Sequence, residues 1–293
     1  MARLENAVES AVETKSHRIH YKTLGSERLP PLLILHGFLG DCDDFDGVLP
    51  LLSEYFYCIL PDLPGHGKTV TIAPDRAGYG FDEVVRSLSS LLDDLSIDRA
   101  SLLGYSMGGR IALYATIKQP SRFSQTILES ASPGLRTRQE REARIAKDSA
   151  IARKLETIPF DTFLTNWYAN PLFDSLHKHS SLFEDMLKRR RRNNPLLLAK
   201  ALRGLSTGKQ ASMWPYLSRI KSPLLLMFGT EDKKFASISY EISHEMIKAC
   251  EKNKKESVSL CPFLSLGHSI HLEVTQQSLK RYVEAVLKSA RDD

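Results

Sequence analysis

Cysteine is scarce in this chain. The four thiols, Cys42, Cys58, Cys250 and Cys261, fall at no zinc-type or Cys-x-x-Cys spacing. That excludes a disulfide scaffold and points to free, mostly buried thiols in a reducing compartment. Long apolar runs are lacking too, and none approaches the roughly 20 residues that cross a bilayer. The first six residues carry an acid and no apolar core, so a secretory signal is not expected. Nor does charge of one sign dominate: 40 basic residues against 35 acidic ones leave +5, and the basic residues cluster locally. A nucleic-acid partner is therefore not expected. Internal repeats and low-complexity segments are absent. What is present is 293 residues, 42% hydrophobic and 26% charged, which suits one globular domain with an insertion.

Buried-strand patterns alternate with helical ones over much of the length. Residues 1–15 read as a flexible leader, and His17–Leu24 has β character. Pro31–Leu35 is a continuous apolar run, as expected of a strand covered on both faces. Residues 56–60 form a similar run, followed by the turn-rich Asp62-Leu63-Pro64-Gly65-His66-Gly67. Val84, Val85, Leu88, Leu91, Leu92 and Leu95 recur at helical spacing, and residues 125–128 read as a further strand. Such alternation predicts an α/β fold, with a mostly parallel central sheet flanked by helices. It stops over residues 133–214, where charged helical sequence carries Phe160, Phe163, Trp167, Tyr168, Phe173 and Phe183. This stretch is expected to be a helical cap inserted between two parts of the core, 16–132 and 215–293. Strands resume at Leu224–Gly229 and at residues 257–260, and a last helix carries Val274, Leu279, Tyr282, Val283 and Val286.

The chain is organised around Gly104-Tyr105-Ser106-Met107-Gly108, which follows an apolar strand and opens a helix. A serine at the tip of such a turn is held in a strained conformation with its hydroxyl free, and the helix N-terminus points at whatever it holds. Two later strands end in candidate partners: Asp232 lies just beyond one, and His268 in the loop after the next. Groups beyond the carboxyl ends of parallel strands converge, and the order Ser106, Asp232, His268 is that of α/β-hydrolases. Histidine takes the serine proton, while aspartate fixes the imidazole tautomer and stabilises its cation. Glu231 is the nearest rival to Asp232, and His271 to His268. His36 and His66 read as structural, each bonded within its own turn.

Together, His36-Gly37-Phe38-Leu39-Gly40, the Asp62–Gly67 turn, the serine elbow and Gly267-His268 resemble the α/β-hydrolase superfamily. Finer features resemble the MenH family of 2-succinyl-6-hydroxy-2,4-cyclohexadiene-1-carboxylate synthases. These are Ser132-Pro133-Gly134-Leu135 followed by Arg141 and Arg144, Asn166-Trp167-Tyr168, Arg190 ahead of Asn193-Asn194, and the run from Phe228 to Phe235. The similarity extends from about residue 31 to residue 268. It implies a lyase of menaquinone or phylloquinone biosynthesis that expels pyruvate from a small tricarboxylate by a 1,4-elimination, without cofactor or metal. By the resemblance, Ser106, Asp232 and His268 are catalytic, and the backbone amides of Phe38 and Met107 form an oxyanion hole. Arg110, Arg144 and Arg190 take the three carboxylates, while Tyr105 and Trp167 either pack on the ring or belong to the core. Within Lys188–Arg192 the expected ligand is Arg190, its neighbours forming a solvated face. The same triad would also serve a carboxylesterase, a thioesterase or a carbon–carbon hydrolase, and the fold also serves ligand receptors. The expected compartment is the cytoplasm, or the plastid stroma if the chain is one module of a larger plant fusion.

Overall fold

The apolar runs become strands because both of their faces find cover. In the strand of residues Pro31–Leu35, Leu33 and Leu35 join one hydrophobic cluster, while Leu32 and Ile34 join another on the opposite side of the sheet. A residue period of two therefore reads as a continuous apolar run. Leu224 and Leu226 against Leu225 and Met227 repeat the pattern. Each such leucine removed from water contributes roughly 1.5–3 kcal/mol.

In the computed structural model, which describes residues 4–72, 78–250 and 258–290, these strands form one mixed sheet. From edge to edge it runs β1 (Val8–Glu13), β2 (His17–Leu24), β4 (Tyr57–Pro61), β3 (Pro31–Leu35), β6 (Ala100–Tyr105), β7 (Phe123–Glu129), β8 (Leu224–Gly229) and β9 (Val258–Phe263). A two-residue strand, β5 (Val70–Thr71), adds to β2. β1–β2 and β2–β4 are antiparallel, whereas the pairs from β4 through β3, β6, β7 and β8 to β9 are parallel. Helices α2 (Phe81–Asp94), α3 (Met107–Lys118), α8 (Lys233–Cys250) and α10 (Gln276–Ala290) flank the sheet. Residue 257, expected in the last strand, and the side chain of Cys250 lie outside what is described.

One expectation is corrected. The leader was expected to be flexible over residues 1–15, yet Val8–Glu13 is an edge strand paired with β2 from Val8↔Thr23 to Glu13↔Arg18. Only Val12 of β1 is buried, so its attachment rests on backbone hydrogen bonds rather than on apolar burial. Such pairing leaves little trace in side-chain pattern. Residues 1–3 lie outside the described residues.

Between β7 and β8 the chain is helical, with α4 (Arg138–Thr157), α5 (Phe160–Tyr168), α6 (Ser180–Arg190) and α7 (Pro195–Gly204). Thr137 and Glu140 form a reciprocal capping box at the start of α4, which satisfies amides with no intrahelical partner. Asn194 caps α7, and Pro195 supplies a first helical residue without an N–H to satisfy. The helices build a core of their own from Ala152, Leu155, Phe163, Leu164, Met186 and Leu198, which meets the rest of the molecule through Leu39 and Leu272.

Candidate active site

β6 delivers Ser106 at a tight elbow. Ser106 has φ 50° and ψ −105°, a left-handed conformation that costs a non-glycine residue about 1–3 kcal/mol. Packing of the following helix holds it there. A Cβ on Gly108 would stand 2.3 Å from the Leu35 carbonyl oxygen, so only glycine lets α3 sit this close to β3. Met107, at the first position of α3, has a backbone N–H with no intrahelical acceptor, and it lines the same cavity as Phe38 from the turn after β3.

Three strand ends converge as the spacing predicts. His268 Nε2 lies 3.1 Å from the Ser106 hydroxyl, and His268 Nδ1 lies 2.6 Å from Asp232 Oδ2. Asp232 also accepts the Phe235 amide at 3.1 Å, which fixes the carboxylate at the start of α8. The imidazole is buried and ringed by Tyr105, Phe173 and Phe235, with centroid separations of 5.3, 6.1 and 4.7 Å. Neither rival joins this array. Glu231 pairs with Lys178 at 2.8 Å on the exposed side, and His271 is buried against Glu129 at 2.7 Å.

His36 and His66 do not both stay within their own turns. His36 Nδ1 contacts the Gly37 carbonyl at 2.8 Å, but its Nε2 accepts the Leu63 amide at 2.9 Å, which fastens the two turns together. His66 Nδ1 faces the Pro64 carbonyl at 3.2 Å, whereas its buried Nε2 has no partner among the described residues. Burial, with the neighbouring His36, pulls His66 down to about 3.

The array opens on a cavity of about 1000 Å³ between the sheet's strand ends and the inserted helices. Arg110 donates its backbone amide to Ser106 O at 3.1 Å, so it sits one helical turn along. Its guanidinium bonds the Leu205 carbonyl at 2.9 Å and Gln210 Oε1 at 3.2 Å, with no carboxylate among its partners. Burial, and then the nearby Arg144, lower its pKa from the usual arginine value, although an arginine remains charged at neutral pH. Arg144 reaches Asp148 through Nε at 2.7 Å, and Asp148 is pinned by the Ser206 hydroxyl at 2.7 Å. Lys234 is exposed, yet partial desolvation and then the nearby Arg144 and Lys147 hold its pKa below the ordinary lysine value, against the pull of Asp232. Among the described residues neither Lys147 nor Lys234 has a carboxylate partner. Four cations therefore gather on one wall with Asp148 as the carboxylate that pairs with one of them.

Arg190 differs from its expected role. It lines the cavity, but Nη1 and Nη2 clasp the Asp44 carboxylate, the second at 3.1 Å, and Nε donates to the Tyr168 hydroxyl at 3.0 Å. The fork meant for a ligand carboxylate is already filled by a protein one, in a pair exposed by 3% and 0%. Its neighbours also pair: Arg191 with Asp161, Lys188 with Asp185, and Arg192 with Asp41 and Asp43. Arg189 Nε is buried with no partner among the described residues. Tyr105 is a core residue at the cavity floor, its hydroxyl 2.6 Å from Ser269 Oγ. Trp167 edges onto Phe38 at 5.3 Å and lines the cavity.

Asp44, Lys147, Asp148 and Lys234 escape the motif-based reading. Arg144, Lys147 and Asp148 could have been grouped from their spacing of three and four along α4. Asp44 and Arg190 are 146 residues apart and give no local signal. Of potential metal donors among the described residues, His20, Cys42 and Asp62 lie within 4.8 Å of one another. His20, however, spends both ring nitrogens on Asp62 at 2.8 Å and Glu9 at 3.0 Å, which leaves a hydrogen-bonded cluster rather than an open ligand set.

The strand order, the elbow serine and the helices inserted after β7 define an α/β-hydrolase, and a model described as alpha/beta hydrolase fold matches residues 30–273. Among curated relatives, the chain is 32% identical over 219 residues to the 2-succinyl-6-hydroxy-2,4-cyclohexadiene-1-carboxylate synthase of Escherichia coli O1:K1 / APEC, covering 75% of this chain and 84% of that protein. It is 29% identical over 246 residues to the chloroplastic protein PHYLLO of Arabidopsis thaliana, covering 82% of this chain but 14% of that much longer protein. Among solved structures, MenH from S. aureus superimposes with a TM-score of 0.81 at 28% identity, covering 94% of this chain and 99% of that one. The chain belongs to the MenH family of the α/β-hydrolase superfamily.

Proposed function

We propose that the protein is a carbon–oxygen lyase that eliminates pyruvate from 2-succinyl-5-enolpyruvyl-6-hydroxy-3-cyclohexene-1-carboxylate, giving 2-succinyl-6-hydroxy-2,4-cyclohexadiene-1-carboxylate. The observation that carries this reading is the cation group of Arg110, Arg144, Lys147 and Lys234, which lines the same cavity as Ser106. Like charges gathered in a partly desolvated cavity repel one another, and a compact polyanion relieves that repulsion. An ester with an apolar acyl chain would bring no carboxylate to Arg110, Lys147 or Lys234.

In this mechanism Ser106 Oγ removes the ring proton next to the succinyl ketone and passes its own proton to His268 Nε2, 3.1 Å away. Asp232 holds the resulting imidazolium through Nδ1 at 2.6 Å. The electron pair left on carbon delocalises into the ketone as an enolate, whose oxygen the Phe38 and Met107 amides receive. Collapse of the enolate moves electrons through the ring alkene and breaks the carbon–oxygen bond to the enolpyruvyl group. Pyruvate departs as its enolate and takes a proton. Arg110 and Arg144 pair with substrate carboxylates, Lys147 and Lys234 complete the charge, and Trp167 packs on the ring.

A bacterial relative and a chloroplastic one support a cytoplasmic setting or, as one module of a longer chain, a plastid one. The test is pyruvate release from the enolpyruvyl substrate, with intact-protein mass spectrometry during turnover. Stoichiometric pyruvate with unmodified Ser106 is expected. A substrate-derived adduct on Ser106, or ester hydrolysis faster than pyruvate release, would assign the site to a hydrolase instead.

A further inference from the structure

The short helix α9 (Ile270–Glu273) ends in a carboxylate that the proposed reaction does not use. Glu273 is 3% exposed, and no cation is hydrogen-bonded to it among the described residues. Its oxygens are instead taken by neutral donors. Oε2 accepts the Gly267 amide at 2.9 Å, and Oε1 accepts the Ser269 amide at 3.3 Å. Those two amides flank His268, so a single carboxylate brackets the backbone that carries the imidazole.

The third bond leaves the loop. Oε1 also accepts the Ser175 hydroxyl at 3.0 Å, and Ser175 belongs to the segment inserted between β7 and β8. Contact there is close: a Cβ on Gly267 would fall 1.9 Å from Ser175 Oγ. Burial raises the Glu273 pKa, while the Gly267 amide, the Ser175 hydroxyl and the Ser269 amide draw it back. Such a buried carboxylate, hydrogen-bonded by neutral donors with Lys178 and His179 acting on it only through space, is costly and stays only where its geometry is fixed by several donors.

We infer that Glu273 is a positioning residue: it fixes the two peptide units around His268 and, through Ser175, ties the imidazole's placement to the seating of the inserted helices. The loop's reach to Ser106 then depends on a contact with the inserted segment rather than on the sheet alone. This inference rests on the Ser106–His268 pair of the proposed mechanism, but not on the identity of the substrate.

The test is the rate at which a fluorophosphonate labels Ser106, measured per folded molecule alongside turnover and thermal unfolding. Glu273→Gln keeps the shape but turns one acceptor into a donor facing an amide. It should slow labelling and lower kcat by about 10- to 100-fold with KM within about twofold, the cost of a misplaced general base. Ser175→Ala, which retains the carboxylate and both loop amides, should slow labelling by a smaller factor, on the order of threefold to tenfold. It also keeps the test open if Glu273→Gln fails to fold. A fall in melting temperature with unchanged labelling in either folded variant would overturn the inference, because it would make the contact purely structural. Normal wild-type labelling without pyruvate release would sink the lyase reading and leave this one standing.

Discussion

Replacing Arg190 separates two roles that the sequence alone cannot tell apart. Arg190 and Asp44 bury a bidentate ion pair between α6 and the loop after β3, with side-chain exposures of 3% and 0%. Burial alone would raise the Asp44 carboxyl, but Arg190 overrides it and holds it below its ordinary range. Arg190→Ala therefore strands a buried carboxylate, and breaking one side of such a pair costs about 3–5 kcal/mol. Unfolding entropy near 2.1 cal/mol/K per residue over 293 residues gives about 0.6 kcal/mol/K, so the melting temperature should fall by roughly 5–8 °C. Asp44→Asn should cost a comparable amount. The double variant Arg190→Met with Asp44→Leu should recover most of the loss, since an apolar replacement of similar volume leaves no charge uncompensated. Urea and thermal unfolding of the four proteins measure this coupling, and kcat/KM is followed in parallel. A rise in KM of about 100-fold or more for Arg190→Ala at an unchanged melting temperature would refute the reasoning and return Arg190 to the role of ligand receptor.

Three further outcomes are expected. Ser106→Ala, Asp232→Asn and His268→Ala should each lower kcat by orders of magnitude in steady-state pyruvate release while far-UV circular dichroism stays unchanged; His271→Ala should destabilise the fold by stranding Glu129, and leave per-molecule kcat within a few-fold. Arg110→Ala should lower kcat/KM by about 10- to 100-fold, the range of one charge-assisted hydrogen bond, and Arg144→Ala and the more exposed Lys234→Met by less, the loss appearing mainly in KM. His66, held to about 3 against an ordinary 6.5, contributes stability that is complete above pH 6.5 and disappears as pH falls towards 3; near 1.4 kcal/mol per pH unit, about 2 kcal/mol should be gone at pH 5, and His66→Gln should flatten that limb in urea titrations.

What the chain declared in advance was whatever its local chemistry encodes. Pro31–Leu35 and Leu224–Gly229 read as strands because apolar burial on both faces leaves no ambiguity. Other boundaries shifted by a residue or two, as for residues 56–60 against Tyr57–Pro61 and 125–128 against Phe123–Glu129, because a ladder ends where its partner does. β1 was missed for the same reason: one buried side chain in six cannot announce a strand whose hold is backbone pairing. At the site, Ser106, Asp232 and His268 were legible because each stands at the end of a recognisable strand. The Arg190–Asp44 pair was not legible, because the two residues lie 146 apart in the chain and share no local pattern.

The same serine, histidine and aspartate can serve acyl transfer or proton transfer, so the choice between them has to come from what surrounds them. In this protein that surrounding is asymmetric. The strand ends hold the array, with His268 walled by Tyr105, Phe173 and Phe235. The inserted helices contribute Arg144, Lys147 and Trp167, while the core contributes Arg110 and Lys234, so the charged wall is complete only when the two are docked. Arg190–Asp44, Arg192 with Asp41 and Asp43, and Ser175–Glu273 are among the polar fasteners between them. The three arginine pairs hold the loop after Phe38, and the serine–glutamate contact holds the loop of His268. In the proposed mechanism, docking the helices would act at once on the enolate's hydrogen-bond donors, on the base and on the cations that pair with the substrate. An enzyme that forms a water-sensitive enolate gains by coupling all three to one closed arrangement. A hydrolase, which must admit water to its intermediate, would gain nothing from that coupling.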